Sequence, residues 1–485
     1  MTVRLLLSIL VAVSAGTLLT CLLWPDRTLR KSSWLIRLAV GAGVGLGLSS
    51  EIHFLWLCSR HSSPRYLVLA DLALLGGLAT ALWYFGARFR HAFAGTPARY
   101  ACSEPARSRA MQWALATAFA IALLPAIYAF LSAFYNSPHG QWDAWMSWNL
   151  RARFFFRGGE HWRDTFSSLF WGANPEYPVL LPSLVARSWQ YAGQETELAP
   201  ALLAALFTFA TVGLTCSSLW FLRSKGQGLL AGLVLLGTPF FIRHGTAQYA
   251  DVPLSFFVLA SIVLLCLHDR VSPQRGGLLV LMGVTAGCAA WSKNEGLLFL
   301  VSLILAAAAV LSRRRVRTAY VRHQLAFTVG LLVVLPVALY AKLRLAPADP
   351  MLHWQVSTLQ KLVDWQRYGQ ILKAFGREIL EFGNWPVQLT PLLVFYSLLL
   401  GIDVEQLKKS SSIIAMGSVG LTLGGYFCVY LITPYDVAWH LHSSLQRLLL
   451  QLWPSAVFLF FLLVKTPEQA LSGDSRDLAS QPEIA

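Results

Sequence analysis

Apolar stretches recur along almost the whole chain, each bounded by a short polar or basic turn, and most are long enough to cross a bilayer as helices. A hydrocarbon layer about 30 Å thick needs roughly 20 helical residues. The pattern predicts about thirteen spans, near 5–24, 35–56, 66–86, 112–135, 198–221, 228–243, 250–268, 277–291, 296–311, 324–344, 387–402, 412–432 and 446–464. A further apolar stretch, 179–193, follows Pro178 and reads as a half-span or an interfacial helix. The expected fold class is therefore an all-α polytopic membrane protein. Two long loops, 136–197 and 345–386, carry helical rather than low-complexity patterns and are expected to hold interfacial helices. Residues 1–465 read as one transmembrane domain and 466–485 as a short polar cytoplasmic tail.

Composition agrees. Only 13% of the 485 residues are charged, about half the share of a soluble domain. With 56% hydrophobic residues, 18 Trp and 28 Phe, too few polar side chains remain to cover a water-facing surface. Intrinsic disorder, which needs low hydrophobicity and high charge, is excluded by the same balance. The seven cysteines are scattered, with no Cys-x-x-Cys pair or Cys/His cluster, so neither a disulfide framework nor a zinc site is indicated.

The net charge of +15 would suggest nucleic acid in a soluble chain. Here it falls on alternate loops. The first apolar run reads as an uncleaved span with its N-terminus outside, although Val13-Ser14-Ala15 resembles a cleavage site. Arg27, Arg30 and Lys31, the 88–109 arginines, Arg223 and Lys225, Arg270 and Arg275, the 313–317 run, and Lys408 and Lys409 then all fall inside. This is the positive-inside asymmetry of a membrane protein, and it removes nucleic acid as a partner.

Most of the candidate chemistry gathers on the other side. Asp143 stands just past a span between Trp142 and Trp145, where a carboxylate over a low-dielectric floor can act as a base, a metal ligand or a cation's partner. Arg151, Arg153 and Arg157 follow on a helical pattern with Phe154, Phe155 and Phe156, read as an interfacial helix with snorkelling arginines. The same loop ends Glu176-Tyr177-Pro178, either a dipole-favoured helix start or a second carboxylate beside Asp143. Asp251 opens a span, as a cap or as a site residue. Lys293 and Glu295 sit in a turn too short for an ordinary loop. Asp436 and His440 precede Arg447, read at the outer edge of the last span, where it either binds a phosphate or snorkels. Glu51 and Asp71 read as near-surface. Convergence on one side implies a single outward-facing cavity.

At these motifs the sequence resembles the GT-C superfamily of integral-membrane glycosyltransferases, including protein O-mannosyltransferases and the lipid A aminoarabinose transferase. The likeness is carried by Trp142-Asp143, by Glu176-Tyr177-Pro178, by Tyr-Ala-Asp-Val-Pro-Leu at 249–254, by Ser-Lys-Asn-Glu-Gly at 292–296, and by the region of Arg447. The resemblance implies Asp143 as general base on the acceptor, Lys293 and Arg447 as holders of a polyprenyl phosphate, and Asp251 as a residue orienting substrate or a metal. Glu176, Tyr177, Glu295, Asp436 and His440 would complete donor and substrate binding. The first loop carries one Asp rather than an adjacent acidic pair, and an additional pair of helices stands before the first-loop span. No cofactor is required by the sequence, and a divalent metal, if used, would fall to Asp143 and Asp251.

The implied function is transfer of a sugar from a polyprenyl-phosphate-linked donor to a glycan, lipid or protein acceptor, by inverting displacement. The expected setting is a bacterial inner membrane with the site on the extracytoplasmic side. An outward-facing glycan ligase or polymerase would instead use an Arg/His-rich loop, which the 440–447 stretch supplies. A lipid-linked glycan transporter would place ionisable pairs in mid-span.

Overall fold

In the computed structural model, residues 2–24, 31–59, 63–90, 106–271, 276–312, 317–349, 351, 356–385, 388–467 and 469 are described. The basic segments 25–30, 91–105, 272–275 and 313–316, and most of the C-terminal tail, lie outside them. Every extended element among the described residues is helical, with one isolated bridge between Ile402 and Val464.

The chain opens with four long helices, α1 (Thr2–Leu23), α2 (Lys31–Cys58), α3 (Pro64–Arg90) and α4 (Ala106–Asn136). The first long loop holds α5 (Asn149–Arg157) between a π-helical turn, Ala144–Trp148, and two 3₁₀ segments. Then come α6 (Leu180–Ala192), α7 (Leu198–Leu222), α8 (Lys225–Gly237), α9 (Pro239–Thr246), α10 (Asp251–Val271), α11 (Gly277–Ser292), α12 (Asn294–Leu311) and α13 (Arg317–Tyr340). The second long loop holds α14 (Val356–Leu362) and α15 (Trp365–Glu381), and the chain closes with α16 (Leu389–Leu400), α17 (Val404–Leu407), α18 (Ser410–Ile432) and α19 (Val437–Leu463).

All thirteen expected apolar segments are helical, but length separates them. Ten helices are long and apolar enough to span, or eleven if the α8–α9 pair, bent by 66°, is one broken span. The bend falls at Pro239, whose ring nitrogen has no hydrogen to continue the helical ladder. The remaining two, α11 with 16 residues and α16 with 12, are too short to cross alone. The 179–193 stretch is α6, buried along nearly its whole length, so it is an interior half-length helix rather than an interfacial one. The last span was expected from 446; α19 instead begins at Val437, because Asp436 caps it by accepting from the Trp439 N–H at 2.8 Å.

The core runs along α10, whose apolar window is 94% buried and which packs on α7, α11 and α19. In contrast α3 and α4 present leucines and tryptophans outward, including Leu69, Leu72, Trp83, Trp113 and Leu124, as helices facing lipid do. Between α1, α3 and α6 lies a buried ion pair. Arg187 donates to Asp71 at 2.8 and 3.1 Å and to the Ser8 carbonyl at 3.0 Å, and Tyr191 donates to Asp71 at 2.7 Å. Asp71 is buried within the protein, and Glu51 is too, at 4% exposure.

The first loop is also more deeply buried than its sequence suggests. Arg151 is 1% exposed and does not snorkel. It donates to the carbonyls of Tyr177 at 2.9 Å and Asn174 at 3.3 Å, tying α5 to the turn that ends the loop. Arg153 and Arg157 converge on Glu195 instead. In the second loop α15 is amphipathic: Ile371 and Phe375 are buried, with Phe375 against the rings of Phe427 and Tyr430, while Trp365, Leu372 and Ile379 face outward. An exposed apolar stripe beside a packed one is what an interfacial helix shows.

Candidate active site

Four segments distant in sequence meet at one end of the bundle. Asp143 precedes the π-helical turn after α4, and Asp251 opens α10. Lys293 and Glu295 lie at the break between α11 and α12, and Arg447 lies on α19.

Each segment is held by local chemistry. Gly140 takes φ +79°, and a Cβ there would press on the Ala247 carbonyl at 2.8 Å, so glycine lets the first loop lie against the turn before α10. Gln248, itself at φ +63°, accepts from Asn149 at 3.1 Å and donates to the Pro138 carbonyl at 3.1 Å. Tyr249 adds a hydroxyl that accepts from the Asp143 N–H at 3.3 Å. At the α11–α12 break, a Cβ on Gly296 would stand 1.8 Å from the Ala289 carbonyl oxygen, so only glycine permits this turn.

The side chains form a continuous ion network. Arg447 Nη2 lies 2.7 Å from Asp143 Oδ2 and 2.9 Å from Asp251 Oδ2. Lys293 Nζ lies 2.9 Å from Asp251 Oδ1 and 3.0 Å from Glu295 Oε1. Gln451, one helical turn after Arg447, donates to Asp251 Oδ1 at 2.7 Å and accepts from the Tyr426 hydroxyl at 2.9 Å. Asp251 is fully buried, and these three donors to its carboxylate, rather than a capping role, account for it. Ring faces close the sides: the Arg447 guanidinium lies 4.8 Å from the Tyr249 ring centroid and Lys293 Nζ 5.5 Å from that of Tyr177. Tyr177 stacks on Trp148, and burial pushes its phenol well above the usual tyrosine range. Burial also raises Tyr249, with Asp143 adding to it.

Glu176 stands beside this network in a second cluster. Lys342, in a π-helical turn after α13, donates to the Glu176 backbone carbonyl at 2.9 Å and to Asn294 at 3.0 Å, and lies 3.7 Å from Asp349. Burial raises the Glu176 carboxyl above the ordinary glutamate range, and Asp349 adds to the shift while Arg151 and Lys342 oppose it.

Asp436 and His440 are not brought into the network. Asp436 caps α19, and His440 is buried among aromatic rings, 4.8 Å from that of Tyr430. Arg447 sits ten residues into α19, about 15 Å along its axis and well below the helix end where it was expected. Sequence reasoning missed Gln451, Tyr426, Asn294, Lys342 and Asp349. Of these, Asn294 stood within the 292–296 motif, and Gln451 left a signal four residues from Arg447 and so on the same helical face.

Carboxylates outnumber cations three to two in the central network, so a phosphate gains a cation there only by displacing a carboxylate from it. Arg447 occupies both Asp143 and Asp251, the two residues considered for a metal. Among the described residues no group of three or more His, Cys, Asp or Glu side chains is arranged to hold a metal ion.

Residues 178–340 match the family model described as dolichyl-phosphate-mannose-protein mannosyltransferase. The matched stretch contains Asp251, Lys293 and Glu295, while Asp143 and Arg447 lie to either side of it. No curated protein and no solved structure matches the chain. The resemblance to the GT-C membrane glycosyltransferases is thus borne out over residues 178–340, where this membrane protein is similar to the dolichyl-phosphate-mannose-protein mannosyltransferase family.

Proposed function

We propose that the chain transfers a sugar from a polyprenyl-phosphate-linked donor to an acceptor hydroxyl at the extracytoplasmic face of the membrane, with Asp143 as general base. The observation that carries this reading is the Arg447 bridge between Asp143 and Asp251, with Lys293 on the far side of Asp251. A base and two cations stand within one cluster, at the end of the bundle where a lipid-linked donor would present its sugar.

In the proposed step the acceptor oxygen attacks the anomeric carbon from the face opposite the phosphate. The acceptor proton passes to the Asp143 carboxylate, the new oxygen–carbon bond forms, and the bond from the anomeric carbon to the phosphate oxygen breaks. The electron pair leaves with the polyprenyl phosphate, whose growing charge Lys293 and Arg447 stabilise. Arg447 serves both ends: while it pairs with Asp143 the base is neutralised, and a donor phosphate that draws the guanidinium away frees that carboxylate. Asp251 and Gln451 orient the cations, and Tyr177 and Tyr249 supply ring faces for the sugar. Outward placement rests on the charge asymmetry of the loops.

The Arg/His-rich ligase reading loses support because His440 faces aromatic rings, away from the ion network. The Asp71–Arg187 pair is the mid-helix pairing a transporter would use, yet Tyr191 and the Ser8 carbonyl complete it as a helix tie. The test is the configuration of the product made from a polyprenyl-phosphate sugar of known anomeric form. Inversion fits the displacement by an acceptor activated at Asp143; retention contradicts it.

A further inference from the structure

At the opposite end of α10, about 25 Å along its axis from Asp251, the helices part around a cavity of about 270 Å³. Its walls are apolar, chiefly Met282 of α11, Leu303 and Ile304 of α12 and Phe327 of α13. Polar groups gather at one place on its lining: His268 and Asp269 at the end of α10, His323 and Gln324 of α13, and Ser410 and Ser411 at the start of α18. The two imidazoles meet edge to face at 4.9 Å, and Ser411 donates to Asp269 at 2.7 Å. Ile304 is 44% exposed, and α12, α13 and α18 each leave about two thirds of their apolar window unburied, so these walls border lipid.

We propose that this cavity binds a membrane phospholipid whose headgroup carries a primary ammonium beside its phosphate. A molecule arriving from the bilayer brings a hydrocarbon chain for the apolar walls. Its headgroup meets a carboxylate and hydrogen-bond donors within one small space. The Asp269 carboxylate pairs with the ammonium, through the oxygen that Ser411 does not use. The Gln324 amide and the Ser410 hydroxyl, which is buried without a hydrogen-bond partner, donate to phosphate oxygens. A purely anionic headgroup brings no ammonium of its own for the Asp269 carboxylate, and a quaternary ammonium has no N–H to donate to it.

The site is independent of the glycosyl-transfer reading, since no residue of the ion network lines it. Its test uses the full chain, stripped of lipid in detergent and reconstituted in nanodiscs of equal phosphatidylethanolamine and phosphatidylglycerol. Lipid retained on release is then counted by native mass spectrometry. One phosphatidylethanolamine per chain, at least tenfold over phosphatidylglycerol, is expected. Asp269→Asn should cut that preference at least fivefold, and Ala307→Phe, which fills the cavity from α12, should abolish retention. Thermal unfolding of each variant identifies those that are folded, and Gln324→Leu serves as a second polar variant if Asp269→Asn is not. Equal retention of the two lipids, or unchanged retention in a folded Asp269→Asn or Ala307→Phe chain, would overturn the proposal.

Discussion

Arg447 and Asp143 form a direct ion pair, 2.7 Å from nitrogen to oxygen, although α19 and the first loop are separated by most of the chain. The same guanidinium nitrogen reaches Asp251 at 2.9 Å. Removing a partner from such a pair strands a charge in a poorly solvated place, which is costly. Exchanging one anion for another is not. The pair is therefore suited to partner exchange, and a phosphate is a competent replacement for a carboxylate.

The first prediction concerns that exchange. Arg447→Lys keeps the charge but loses the planar fork that can hold two oxygens at once. The apparent donor constant should rise about 5- to 30-fold, the equivalent of roughly 1–2 kcal/mol in charge-assisted bonding. Arg157→Lys is the control, because Arg157 is largely exposed and pairs with Glu195 rather than with the central network. Equal effects at the two positions would leave Lys293 as the phosphate ligand.

Arg151 would be a poor control, since it is structural. Its guanidinium is buried, which lowers it to about 10 while leaving it charged at neutral pH. Arg151→Met should destabilise the protein by about 1–3 kcal/mol, because the Asn174 and Tyr177 carbonyls lose their donor in a buried place. Thermal unfolding measures this. An unchanged midpoint would show that water replaces the guanidinium freely.

Glu176 sets a pH dependence. Its folded carboxyl titrates above the ordinary glutamate range, because burial disfavours the charged form. The native state then holds more proton than the unfolded chain between the two titration points, so stability falls as pH rises through that window. Glu176→Gln has no proton to lose there. Unfolding midpoints of the two proteins, followed from about pH 4 upward, should shift against the native protein as pH rises. Parallel curves would mean the carboxyl is solvated.

Much of this architecture is legible from the sequence because hydrophobic periodicity and turn residues are local properties. Thirteen apolar segments are read and all are helices, yet α11 and α16 are too short to be counted as crossings, and α8 and α9 bend at Pro239. Asp143, Asp251, Lys293, Glu295 and Arg447 stand out because charge is rare in and beside apolar segments of so hydrophobic a chain, and the structure brings them together. Which charges pair is a tertiary matter. Arg151 looked like a snorkelling interfacial residue because its helix is amphipathic; only the fold shows the carbonyls it serves. Asp436 and His440 shared a polar segment with Arg447, but α19 rises about 15 Å between its cap and the guanidinium. Lys342 and Asp349 carried no motif, and Asp71 gave no hint of its partner Arg187.

Topology is separately testable. A thiol placed at Ser167, in the first loop, should react with an impermeant reagent added outside intact cells, and one at Thr318 should be spared. The reverse pattern would turn the site to the cytoplasmic face.

The central claim is that Asp143 takes the acceptor proton, and one substitution addresses it most directly. Asp143→Asn preserves size and polarity but removes the base, so single-turnover transfer from a polyprenyl-phosphate sugar should fall by about two to four orders of magnitude. Binding of the donor, measured on the same preparation, should persist, because Lys293 and Arg447 remain. Near-normal transfer by the Asn variant would contradict the account and remove Asp143 from the chemistry.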